Sequence, residues 1–157
     1  FPKNSSGGGS MRVGVYAGAM LIAWSGALAV AQTKITTPEE YDKAMKPAGA
    51  ALRTIGKAIA SGAFADVRKE LPALKAAIAD TQSFWVEHKK DDAIKMNKES
   101  LAKIEAFEQL VAKDPVDPAV AAPALKEIGG TCAACHKQYR EQDAEGNYKI
   151  KAGTIGG

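Results

Sequence analysis

Cysteine and histidine are scarce in this 157-residue chain, two of each. A closed structural zinc site needs four ligands, and beyond Cys132, Cys135 and His136 only His88 is left to supply one, which argues against such a site. Two cysteines three positions apart close a very short loop, so a stabilising disulfide framework is also disfavoured. Alternating apolar runs long enough for a strand are missing, which removes the βαβ setting that a thioredoxin-like C-x-x-C requires. Long apolar runs are confined to one place, residues 13–31. No cysteine lies near the end of that run, so a lipoprotein anchor is not indicated. An excess of charge of one sign is missing too. The formal net charge is +3, and removing Lys3 and Arg12 with the N-terminal segment takes 21 basic residues to 19, against 18 acidic ones. A balance near zero argues against nucleic acid as a partner.

The first 31 residues differ in kind from the rest. Residues 1–10 form a Gly/Ser stretch that no fold needs and read as a linker, an expression scar or an upstream extension. Met11 opens a new pattern: Arg12, the uncharged apolar run, then Ala29-Val30-Ala31 before Gln32. This predicts a secretory signal peptide over residues 11–31 with cleavage after Ala31, the alternative being an uncleaved membrane anchor.

Four segments then share a helical period. Thr37-Pro38-Glu39-Glu40 carries a capping-box hydroxyl, Pro at N1 and Glu at N3. Tyr41, Met45, Ala48, Leu52, Ile55 and Ile59 follow at spacings of four and three, and Ser61-Gly62 ends the helix. Pro47 falls inside it, lacks an N–H and predicts a bend next to Met45. The second stripe is Val67, Leu71, Leu74, Ile78, Thr81 and Trp85, running to about His88, itself in a charged run and expected to be solvated. The third segment starts with Asp91 or Asp92 as N-cap, buries Ile94, Leu101, Ile104, Phe107 and Val111, and stops at Lys113-Asp114-Pro115. Asp117-Pro118 caps the fourth, whose stripe is Ala121, Leu125, Ile128, Cys132, Cys135 and Tyr139. Together these predict an all-α fold, an antiparallel four-helix bundle over residues 32–141, with a polar tail over residues 142–157.

Within the fourth helix, Cys132-Ala133-Ala134-Cys135-His136 has the spacing of covalent c-type haem attachment. Residues i and i+3 share a helix face, so both thiols can reach the vinyl groups along one porphyrin edge while the imidazole faces iron. One haem c, tethered through Cys132 and Cys135, is the expected cofactor. Gly129 and Gly130, one turn earlier, either let the macrocycle approach the backbone or merely weaken the helix.

A haem motif at the end of the last of four helices resembles the class II c-type cytochromes, the cytochrome c′ family. The likeness covers roughly residues 37–140, and Cys132-Ala-Ala-Cys135-His136-Lys-Gln-Tyr139-Arg140 is similar to that family's C-x-x-C-H-x-x-[YF]-R ending. It implies His136 as proximal axial ligand and Arg140 as a cation beside the proximal haem face. The segment around Met45 is similar to that of the low-spin, methionine-ligated members, which implies Met45 as distal ligand, with Met96 a weaker candidate. Trp85 is expected either against the haem edge or in plain core. The tail after Arg140 departs from the family's short ending, and its Tyr148-Lys-Ile150-Lys piece is expected to lie against the bundle or remain free.

The function implied is a periplasmic monohaem cytochrome, not an enzyme, that carries single electrons between redox partner proteins. Such a protein has no stable membrane anchor after cleavage, and the resemblance allows a homodimer. Its net charge gives no obvious docking face. Two rivals stand beside it: a five-coordinate cytochrome c′ binding NO or CO at an open distal face, and a haem-free reactive dithiol.

Overall fold

The computed structural model describes residues 34–156, so the linker and signal-peptide expectations for residues 1–31 lie outside the described residues. Four helices follow one another: α1 (Pro38–Ala60), α2 (Phe64–Glu87), α3 (Asp91–Val111) and α4 (Pro118–Tyr139). A small antiparallel ribbon closes the chain, β1 (Arg140–Gln142) paired with β2 (Tyr148–Ile150). Helix α1 packs on α2, α2 on α3, α3 on α4, and α4 returns to α1. Among the described residues no helix is long and apolar enough to cross a membrane.

The helix starts follow local chemistry. At α1 the Glu40 N–H donates to Thr37 Oγ1 (3.2 Å) and the Thr37 N–H donates to Glu40 Oε2 (3.1 Å), a complete capping box. At α4, Asp117 Oδ1 accepts from the Ala119 N–H at 2.8 Å. Helix α3 departs from expectation. Its N-cap is Lys90, with no side-chain cap, and Asp91 and Asp92 sit inside the first turn. There they still face the positive end of the helix dipole, and Asp92 is freed for a partner on α4.

Two apolar clusters share the interior. The larger joins Ala51, Ile55, Val67, Leu74, Ile104, Phe107 and Ile128, and Cys132 packs against it. The smaller joins Ile35, Phe84, Trp85, Ala93 and Tyr139, and Cys135 packs against it. The buried stripe of α3 is Ala93, Asn97, Ser100, Ile104, Phe107 and Val111, while Ile94 and Leu101 are only half-buried. Ile104, Phe107 and Val111 are thus buried as expected, and the departure is confined to the first half of the helix, where Asn97 hydrogen-bonds Ile78 and Thr81 and Ser100 hydrogen-bonds Thr131 in place of buried Ile94 and Leu101.

Within the polar tail expected over residues 142–157, the Tyr148-Lys149-Ile150 piece forms β2 and lies against the helices, the first of its two expected arrangements. Arg140 stacks over the Tyr148 ring at 3.9 Å, the Lys151 N–H donates to the Tyr139 carbonyl at 2.8 Å, and Ile150 and Ile155 pack on the smaller cluster. Gly146, at φ 83°, supplies the left-handed residue that the connection needs. His88 also differs from its solvated expectation: its ring lies 4.4 Å from Phe84, and its Nε2 is 3.1 Å from the Thr36 carbonyl oxygen.

Candidate cofactor cleft

Between α1 and α4, with the ribbon along one side, lies a cleft of about 510 Å³, within the usual size of a small-molecule site. Cys132, Cys135, His136 and Tyr139 line it from α4, Arg140 from the start of β1, and Met45 from α1. Six of the seven residues singled out in the sequence therefore share one cleft. The seventh, Trp85, is 1% exposed and packs against Tyr41, Phe84 and Tyr139 with ring centroids 4.7 to 5.0 Å apart. It borders a smaller inner cavity of about 30 Å³, whose walls also include Met45, Met96, Cys132, Cys135 and His136.

The two thiols lie in the C-terminal third of a 22-residue helix, far from the N-terminal end that would stabilise a thiolate. Burial raises the Cys132 thiol, and burial followed by the neighbouring Cys132 and Asp92 pushes Cys135 up to about 11. Both are protonated at neutral pH, the reverse of what a reactive dithiol needs. His136 is half-buried, and burial together with the Arg140 charge lowers its pKa, which favours the neutral, ligating imidazole. Met45 is half-buried on the same walls. Among the described residues no group of three or more His, Cys, Asp or Glu side chains converges as a metal cage.

Leu52, Leu74 and Ile78 make the cleft apolar inside, whereas its rim is basic. Lys46, Arg53, Arg140 and Lys149 border it against the single acid Asp42. Lys46 pairs with Asp42 at 2.7 Å and Lys149 with Glu141 at 3.6 Å. Among the described residues Arg53 and Arg140 form no ion pair. The even overall balance of charge thus conceals a local excess of cations. The donors fit a flat, largely apolar group carrying two anionic arms: two thiols at i and i+3, an imidazole and a thioether inside, unpaired guanidinium groups outside. A Cβ at Gly129 or Gly130 would meet nothing within 4 Å, so neither glycine is required by a protein contact.

Two features escape the sequence reading, Arg53 and Asn97, and a third, the ribbon, is foreseen only as one of two alternatives for its Tyr148-Lys149-Ile150 piece. Arg53 is one of many surface cations by spacing, and only the fold carries it to the rim. The ribbon joins the cleft through Gly146 to Ile150, which no helical period reveals. Asn97 had a readable signal, since it falls on the same helical face as Ile94, Leu101 and Ile104, and a polar residue on an apolar stripe marks a buried polar contact. No protein-family model, curated protein or solved structure matches the chain.

Proposed function

We propose that the chain is an exported monohaem c-type cytochrome of the class II kind, an antiparallel four-helix bundle that carries single electrons between redox partner proteins. The observation that carries the reading is the meeting of Cys132, Cys135, His136 and Met45 on one apolar cleft. When bound, a haem c would supply the one-electron iron couple.

The chain's own residues would do the rest. Cys132 and Cys135 would hold the group covalently, each through a thioether formed by addition of its S–H across a vinyl carbon–carbon double bond, with no leaving group. A high thiol pKa is no obstacle once the sulfurs are consumed in this way. His136 would offer a neutral ring nitrogen to the metal and Met45 a soft thioether, which would favour the reduced state and raise the reduction potential. Leu52, Leu74 and Ile78 exclude water from the cleft. Arg53 and Arg140 compensate the propionate charges at the rim. Because His136 and Met45 both sit on helices, little rearrangement of the protein would accompany electron transfer. The basic rim is also a place for a partner with an acidic face. The periplasmic location rests on residues 11–31 of the sequence.

The test is spectroscopic. Protein purified from cells competent in cytochrome maturation is expected to be coloured, to keep its haem through acid-acetone extraction and to give a c-type pyridine haemochrome. Colourless protein overturns the proposal. Met45→Ala is expected to turn a low-spin ferric spectrum high-spin while leaving the haem attached. A wild type already high-spin moves the function to capture of NO or CO at an open distal face.

A further inference from the structure

Asn97 is 7% exposed and joins α3 to α2. Its Nδ2 donates to the Ile78 carbonyl at 2.8 Å and to Thr81 Oγ1 at 3.1 Å. A backbone carbonyl can only accept, so the amide has one sensible orientation, and turning it over would set oxygen against oxygen. Oδ1 is left buried without a hydrogen-bond partner. Buried acceptors are rarely orphaned, and a bound water is the common reason when one seems to be.

Asn97 borders the inner cavity of about 30 Å³, together with Thr81, Ser100, Met45, Cys135 and His136. That volume is enough for one water molecule and too small for most other ligands. A buried water needs two to four polar partners. Thr81 spends its proton on the Ile78 carbonyl (2.7 Å) and Ser100 donates to Thr131 Oγ1 (2.8 Å), so both hydroxyl oxygens retain acceptor capacity.

We propose that Asn97 holds a single buried water at the Asn97–Thr81–Ser100 end of this cavity, whose opposite walls, Met45, Cys132, Cys135 and His136, it shares with the cofactor cleft, and that this water lowers the reduction potential of the iron. The proposal rests on the haem reading. A water that donates to Asn97 Oδ1 and to Ser100 or Thr81 turns its own oxygen toward the remaining walls, which carry Met45, Cys135 and His136. The negative end of that dipole favours the oxidised, more positive iron.

The decisive measurements use the holoprotein. A high-resolution crystal structure of the wild type is expected to contain a water within hydrogen-bonding distance of Asn97 Oδ1, and a dry cavity overturns the proposal whatever the variants do. Asn97→Leu, which fills the space without an acceptor, is expected to expel the water and raise the potential with the axial-ligand spectrum unchanged. Ser100→Ala, which leaves Asn97 in place, is expected to raise it less. Unchanged potentials in both variants overturn the role of the water while leaving the haem reading intact. A negative pyridine haemochrome on the same preparation overturns the haem reading and the proposal with it.

Discussion

At the residue scale, Tyr139 shows how one side chain serves both packing and polarity. Its ring lies 4.7 Å from that of Trp85, and its hydroxyl donates to Asp92 Oδ1 at 2.6 Å, tying the end of α4 to the start of α3. That bond is the main cause holding the Asp92 carboxyl below the ordinary carboxylate range. A carboxylate whose pKa is lower folded than unfolded stabilises the native state above its unfolded pKa, and the benefit disappears as pH falls through the folded value. Tyr139→Phe is therefore expected to lose about 1 kcal/mol at neutral pH, a modest figure because Asp92 is exposed to solvent. The loss should vanish once acid has protonated the carboxyl, and urea unfolding of both proteins at neutral and strongly acid pH measures it. The cysteine pair, His136 and Tyr139 were legible because their meaning lies in local spacing. The Asp92 partner was not, since it is 47 positions away.

At the element scale, the starts of α1 and α4 were legible because a capping residue and its N–H partner lie within three positions of each other. The second half of the α3 stripe, Ile104, Phe107 and Val111, was legible too, but the burial of Asn97 and Ser100 in its first half was not, since these two find partners on α2 and α4. The C-terminal ribbon was legible only in part: the alternating Tyr148-Lys149-Ile150 piece was expected to lie against the helices or remain free, and it lies against them. Three-residue strands carry too little pattern, and what holds them is the Arg140–Tyr148 stack and the seating of Ile150 and Ile155. Truncation after Asp143 is expected to cost about 2 kcal/mol, the scale of two partly buried isoleucines. If Met45 ligates the iron as proposed, truncation should also speed its displacement by added imidazole, because one wall of the cleft is gone. Thermal melts and stopped-flow absorbance check the two parts separately. Stability lost without faster displacement would make the ribbon a brace rather than a wall.

For the molecule as a whole, the cleft sits where the two apolar clusters adjoin, with Cys132 against one and Cys135 against the other. A group tethered there joins the two halves of the interior. Replacing both cysteines by serine is expected to give a helical but less stable protein, by about 3 kcal/mol, the order gained when a site is filled only in the native state. Far-UV circular dichroism through a thermal ramp provides the comparison, and equal melting temperatures would show that the cleft contributes nothing to stability. Four amphipathic helices, the capped starts of α1 and α4 and a haem-type attachment motif were determined by the sequence alone, because each depends on residues within one or two turns of one another. Tertiary structure alone decided that Met45 and His136 share a cleft, that Arg53 and Arg140 form its unpaired rim, and that Asn97 is left with a bare acceptor beside it. Those facts depend on contacts between distant segments, which packing of the whole chain selects and local spacing does not encode.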